Sequence, residues 1–218
     1  MVKSIKSQIE EQRLFYSKPI LIGEKIAVKV LTVRNKHFGI LDGVNIPGKI
    51  MVSIEPKYVF GDGAHITSRM CIEAVERYIR PDDKVLDIGC GTGILSVVSL
   101  LLGADHVDAV DIGENAVKAA IENAELNGVA DRFSCFQNDL TENLSGKYDL
   151  IVANILADPI LRLLENLRDF THDESVVILS GVNVFREAGI TDAVVKNFDI
   201  IEKETRENWV CYVLRPKK

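Results

Sequence analysis

Apolar and polar positions divide the chain into a regular part and a less regular lead-in. From residue 84 onward, short apolar runs alternate with stretches whose apolar residues recur every three to four positions, the signatures of buried strands and amphipathic helices. Val85, Leu86 and Ile88 mark a first strand, and residues 94–102, nearly all apolar, predict a helix packed deep against a sheet and ended by Gly103. Residues 106–112 predict a second strand. A helix over 114–127 follows, with Val117, Ala120, Ile121 and Ala124 inward and Gly128 at its close. Residues 132–137 and 148–153 predict the third and fourth strands, the fourth apolar enough to be central. Asp158 and Pro159 read as N-cap and first position of a helix that buries Leu161, Leu164 and Leu167. A fifth strand over 175–180, a helix over 185–196 and an antiparallel pair over 198–203 and 209–214 complete the pattern.

Ahead of residue 84 the signal is weaker. Residues 4–16 allow a short amphipathic helix with Ile5, Ile9 and Leu14 on one side. Ile20, Ile22, Ile26, Val28 and Val30 predict strands within 19–33, and 49–54 predicts one more. Between them, 35–48 carries Gly39, Gly43, Asn45 and Pro47, which is turn chemistry. A glycine-bearing loop then feeds a helix whose Cys71, Ala74, Val75, Tyr78 and Ile79 share a face, with Thr67 or Ser68 as N-cap and Pro81 past its end. The alternation predicts an α/β fold with a doubly wound, mostly parallel sheet and right-handed crossovers. The expected division is a β-rich lead-in over 1–58 and a main domain over 59–218.

Composition narrows the class. The 218 residues suit one ordinary α/β domain with a small appendage, and 47% hydrophobic with 27% charged residues is the balance of a soluble globular chain. A net charge of -6 argues against a large nonspecific nucleic-acid footprint. The four cysteines, Cys71, Cys90, Cys135 and Cys211, lie far apart, without C-x-x-C and without histidines at ligand spacing, so they read as reduced thiols and no metal site is expected. The first eleven residues lack the apolar core of a signal peptide, and no run reaches the roughly 18 apolar residues of a membrane helix. A cytoplasmic protein is the expectation.

The candidate chemistry gathers where strands end, the usual ligand crevice of such sheets. Asp87-Ile88-Gly89-Cys90-Gly91-Thr92-Gly93 runs from strand through three glycines into a helix, which frees backbone N–H groups to face a ligand. A dinucleotide fingerprint would need a small residue at Ile94; the spacing here is G-x-G-x-G with Asp87 ahead of it, similar to Rossmann-like S-adenosylmethionine-dependent methyltransferases. Asp111 ends the second strand, from where a carboxylate can accept hydrogen bonds from both ribose hydroxyls of an adenosine. Asp139 reads as a partner for the adenine amine or as a loop cap. His65 reads as a ligand contact or a packing residue. Asn154 ends the fourth strand, where an amide oxygen can accept from an attacking amine and orient its lone pair.

Taken together, Phe60-Gly61-Asp62-Gly63-Ala64-His65-Ile66-Thr67-Ser68, the glycine loop, Glu122-Asn123-Ala124-Glu125-Leu126-Asn127-Gly128 and Val152-Ala153-Asn154-Ile155-Leu156-Ala157 resemble the bacterial ribosomal protein L11 methyltransferases (PrmA), from about Pro19 to the end. The resemblance implies a Rossmann-like class I methyltransferase fold with a seven-stranded sheet and an antiparallel C-terminal strand. It implies S-adenosyl-L-methionine as cofactor, held by Ser68 with Thr67 beside it, by Gly89, Gly91 and Gly93 after Asp87, by Asp111 and by Asn154. It also implies a protein amine, a lysine of ribosomal protein L11, as acceptor. The alternatives are another protein, a nucleic-acid base, or cofactor binding without catalysis; base-modifying sites normally continue with prolines and a stacking aromatic, which Ile155-Leu156-Ala157 does not supply. The chain departs from the family at Asp62, Ile66 and Ser68, where threonine, proline and threonine are usual. Ser68 keeps the hydroxyl, whereas Asp62 bears on the entry of an acidic partner. Family members carry an N-terminal substrate-recognition domain, and the expectation from the residues before Pro19 is that it is missing here. The lead-in strands, the 35–48 loop and the surface around Asn154 are then the contact area expected for a substrate.

Overall fold

The computed structural model describes residues 14–218. The helix expected over 4–16 falls almost wholly outside them. Two sheets are present among the described residues, and a shared apolar core joins them.

The first sheet is small. β1 (Ile20–Ile22) pairs antiparallel with β2 (Ile26–Val30), which pairs parallel with β3 (Ile50–Ile54). Between β2 and β3, where turn chemistry alone was expected, lies a short helix, α1 (Val33–Phe38). Its ends explain it: the Thr32 side chain accepts from the Asn35 N–H, and Gly39 stops the helix in the left-handed region at φ 59°. Asn35 itself is buried, its amide donating to the Tyr16 and Val30 carbonyls at 2.7 and 2.8 Å.

The second sheet has seven strands in the order β6-β5-β4-β7-β8-β10-β9. These are β4 (Lys84–Ile88), β5 (His106–Asp111), β6 (Phe133–Gln137), β7 (Tyr148–Asn154), β8 (Thr171–Asn183), β9 (Phe198–Arg206) and β10 (Trp209–Pro216). Only β10 runs against its neighbours, pairing antiparallel with both β8 and β9. The helices are α2 (Ile66–Tyr78), α3 (Ile94–Leu101), α4 (Glu114–Leu126), α5 (Ala157–Leu164) and α6 (Glu187–Val194). Because successive strand residues face opposite sides, Val85, Val107, Leu150 and Ile178 join one core with α2, α3 and the small sheet, while Leu86, Ile88, Ile151 and Leu179 join another with α5 and α6. No helix among the described residues is long and apolar enough to cross a membrane.

Three local expectations need correction. His65, and neither Thr67 nor Ser68, caps α2: its Nδ1 accepts the Thr67 N–H, and both hydroxyl residues are buried inside the first turn. The inward face of α4 is Ala116, Ala119, Ala120, Asn123 and Ala124, which leaves Ile121 exposed and Val117 half-buried. That rotation brings the smallest side chains against the glycine loop, where a Cβ on Gly93 would stand 2.9 Å from Ala120. α5 begins one residue before Asp158, with Leu156 as N-cap, so Pro159 occupies the first turn, where a missing N–H costs nothing. Asp158 pairs with Arg186 instead, and the buried face is Ala157, Ile160, Leu163 and Leu164, with Leu161 only half-buried.

On β4, Asp87 is wholly buried. One carboxylate oxygen accepts from the Ser96 hydroxyl at 2.6 Å and the Ser96 N–H at 3.1 Å; the other has no partner among the described residues. Burial raises its pKa from 3.8 to about 7, against the lowering effect of the Ser96 bonds and with a smaller upward push from Asp111. The folded state therefore holds this proton more tightly than the unfolded chain, so the contribution is fully present below about pH 4 and is lost as pH rises toward 7. Asp87→Asn removes the ionisation and should gain stability relative to the unaltered protein by about 2–3 kcal/mol between about pH 5 and pH 8. Denaturant unfolding of both proteins across that range checks it; a stability difference that does not move with pH would refute the assignment.

Candidate functional site

At the carboxyl end of β4 the chain turns through residues 89–93. The Gly89 and Cys90 N–H groups both donate to the Val110 carbonyl, at 2.8 and 3.0 Å, which binds the loop to β5. Asp111, the last residue of β5, accepts from the Gly91 N–H through one oxygen at 3.0 Å and from the Gly113 N–H through the other at 2.8 Å. A carboxylate offers about four acceptor sites, so two bonds leave capacity for a ligand's hydroxyls. Glycine is required here for two reasons. Gly89 and Gly91 have φ 72° and 56°, and a Cβ would run into the Ile155 side chain at the first and the Phe60 carbonyl at the second.

That carbonyl belongs to a strap, residues 59–65, laid over the glycine loop. The Thr92 N–H donates to Phe60 O at 3.0 Å and the Thr92 hydroxyl donates to Gly61 O. The strap begins at a turn with Lys57 and Tyr58 in the left-handed region, at φ 47° and 64°, and ends in the His65 cap of α2. It carries Phe60 and His65 toward Trp209: ring centroids lie 5.5 Å apart for Phe60 and His65 and 5.3 Å for His65 and Trp209, both edge-on.

Strap, glycine loop and strand ends enclose a cleft of about 650 Å³. The sheet order sets its two ends. Toward β5 and β6 it is lined by Asp111, Ile112, Asn138, Asp139 and Leu140; toward β7 and β8 by Ser68, Asn154, Gly181 and Trp209. In the second group the Asn154 amide donates to the Ser68 hydroxyl at 3.3 Å, and the Asn154 carboxamide oxygen is buried with no partner among the described residues. A buried acceptor without a donor is destabilising by about 1–3 kcal/mol, which an incoming N–H relieves. In the first group Asp139 accepts from Arg162 of α5 at 2.8 Å.

Of the residues expected to hold a ligand, Thr67, Ser68, Gly89, Gly91, Asp111 and Asn154 line the cleft. Asp87 and Gly93 do not. Asp87 lies beneath the loop on Ser96, and Gly93 is the N-cap of α3 against Ala120, so both shape the wall from behind. Phe60, Trp209 and Arg162 line the cleft without having been singled out for it. Trp209, the only tryptophan, gives some signal by its type, but its place follows from the antiparallel pairing of β10 with β8, opposite Asn183. No group of three or more metal-ligating side chains occurs among the described residues.

Comparison with known proteins gives the same outline. Residues 8–217 match the family described as Ribosomal protein L11 methyltransferase (PrmA). The chain is 35% identical over 202 residues to the ribosomal protein L11 methyltransferase of Caldanaerobacter subterraneus subsp. tengcongensis, covering 93% of this chain and 62% of the relative. It is 38% identical over 168 residues to that of Bacillus pumilus, covering 77% and 54%. The chain thus spans between about half and two thirds of the length of these relatives. Among solved structures, a ribosomal protein L11 methylase from Lactobacillus delbrueckii subsp. bulgaricus superposes with a TM-score of 0.82 at 28% identity, over 92% of this chain and 100% of that one. The tRNA methyltransferase TrmK of B. subtilis, at 21% identity and a TM-score of 0.58, shares the fold. With a Rossmann-like sheet whose last strand is antiparallel and a match along nearly its whole length, the chain belongs to the ribosomal protein L11 methyltransferase family.

Proposed function

We propose that this chain is an S-adenosylmethionine-dependent methyltransferase whose acceptor is a protein amine; its relatives' names suggest ribosomal protein L11 as the substrate, and a lysine is the amine we assign. The observation that carries this reading is the Asn154 carboxamide oxygen: buried, without a partner among the described residues, and fixed in orientation by the Ser68 hydroxyl in the same cleft as the glycine loop. In this reading 59–218 is the methyltransferase domain and 1–58 its lead-in, whose Tyr16 supports the strap.

The residues present fit the cofactor. The spare lone pairs of Asp111 suit ribose hydroxyls, the side-chain-free surface of Gly89 and Gly91 suits close backbone approach, and Ile112 and Leu140 offer apolar surface for a base. Bound there, S-adenosylmethionine supplies a methyl group on a cationic sulfur. The protein's part is positioning. Asn154 accepts one N–H of the acceptor amine, which points the nitrogen lone pair into the cleft, while Trp209 and His65 wall that end. The amine has to be neutral to attack. At this end of the cleft the side chains are Ser68, Asn154, Trp209 and His65, and the Nδ1 of His65 is engaged by Thr67. The proton therefore leaves to solvent before attack, and with a lysine acceptor of reference pKa about 10.4 the rate should rise with pH.

The direct test is incubation of the purified chain with isotopically labelled S-adenosylmethionine and ribosomal protein L11, followed by peptide mapping. Label on lysine supports the reading; label on RNA in a cell lysate offered in parallel, or none with any acceptor, overturns it. Two variants divide the roles. Asp111→Ala should weaken S-adenosylhomocysteine binding by about 1.5–3 kcal/mol, the range for hydrogen bonds to a charged group, and unchanged affinity in calorimetry would remove Asp111 from the site. Asn154→Ala should lower turnover far more than cofactor affinity, because its bond to the acceptor matters chiefly in the transition state. Equal losses in both would make Asn154 a cofactor-holding residue only.

A further inference from the structure

Asp62 sits in the strap between Gly61 and Gly63, both in the left-handed region at φ 111° and 80°. Its two carboxylate oxygens do different things. One accepts from the Ala64 N–H at 2.9 Å, a local turn that shapes the strap itself. The other accepts from the Tyr16 hydroxyl, 46 residues earlier in the chain. Both groups are half-buried. Tyr16 is fixed at its own backbone too, where its carbonyl accepts from the buried Asn35 amide, and its ring packs on the core beneath the small sheet. Burial, with the carboxylate beside it, pushes the Tyr16 hydroxyl pKa upward, so it remains a protonated donor.

The strap is therefore held at two levels. From below, Thr92 of the glycine loop takes the Phe60 and Gly61 carbonyls. From the side, Tyr16 takes Asp62. A shift of the strap away from Tyr16 would draw those two carbonyls off Thr92 and open the space above Gly91, where the Phe60 carbonyl already stands too close for any side chain.

We infer that Tyr16, acting through Asp62, is a positioning residue that holds the strap down on the glycine loop and so slows release of the bound cofactor. This rests on the cofactor reading above. The occupant is an adenosyl sulfonium compound or its thioether product, and neither Tyr16 nor Asp62 touches it, since neither lines the cleft.

The test uses the full chain and S-adenosylhomocysteine as probe, with dissociation rates from stopped flow, affinities from calorimetry, and hydrogen exchange at the Thr92 amide. Tyr16→Phe should speed dissociation roughly three- to tenfold, the size of one net hydrogen bond, and should speed Thr92 exchange. In an Asp62→Ala background the same Tyr16→Phe change should have no further effect. Asp62→Asn keeps one oxygen for the Ala64 N–H and offers its amide N–H to the Tyr16 hydroxyl, which can accept as well as donate, so it should restore near-normal dissociation, which a role in general folding stability would not predict. Dissociation within twofold of the unaltered protein in Tyr16→Phe, or an undiminished effect in the Asp62→Ala background, overturns the inference alone. No binding of S-adenosylhomocysteine by the unaltered protein overturns the cofactor reading and this inference together.

Discussion

The buried carboxamide of Asn123 is the contact on which the architecture of the site depends. From α4 its oxygen accepts the Glu55 N–H at 2.9 Å, while its amide donates to Glu55 O at 3.2 Å and to Thr92 O at 2.9 Å. One turn later Asn127 repeats the pattern on Ser53, with its oxygen accepting at 2.8 Å and its amide donating at 2.7 Å. Two side chains thus replace a missing strand neighbour along the open edge of β3. The match is geometric: four helical residues rise about 6 Å, and two strand residues rise about 6.6 Å, so amides spaced i, i+4 meet backbone groups spaced i, i+2. Since the same Asn123 amide also holds Thr92, the small sheet, α4 and the glycine loop are fastened at a single buried point.

From that point the cleft follows. With Thr92 fixed, its N–H and hydroxyl take the strap carbonyls, and the strap delivers Phe60 and His65 to the wall beside Trp209. With α4 fixed, its alanine face lets the Gly93 turn close on Ala120, and Asp111 can reach Gly91 across the gap. At the acceptor end β7 and α2 bring Asn154 and Ser68 together, and the strap ends there in the His65 cap of α2. The strap thus ties the two ends, an arrangement that suits a site binding one partner through backbone and carboxylate and orienting another through a single amide.

Much of this was legible in the sequence because it is written locally. Apolar runs marked the strands, the three glycines marked the loop, and strand ends located Asp111 and Asn154. The misreadings occurred where a distant partner decides. Thr67 and Ser68 have the side chains of N-caps, yet His65 caps α2 because the strap arrives from β3 with its imidazole already at the helix end. Of the face expected inward on α4, Ala120 and Ala124 are buried but Ile121 is exposed and Val117 half-buried, because Asn123 and Asn127 have to face β3 and that rotates the helix toward its alanines. Those asparagines helped to identify the family, but nothing in their own neighbourhood tells that they act on a strand about seventy positions earlier. Asp87 and Gly93 belong to the loop by sequence and support it from behind in space.

If Asn123 is the point that joins small sheet and glycine loop, its effect has to be felt at a ligand it never touches. The measurement is Asn123→Ala in the full chain, read by hydrogen exchange at the Glu55 and Thr92 amides and by calorimetric binding of S-adenosylhomocysteine. The account predicts that both amides exchange faster and that affinity falls roughly tenfold, since several buried backbone groups lose their partner at once. Unchanged exchange at Thr92 together with unchanged affinity would contradict it.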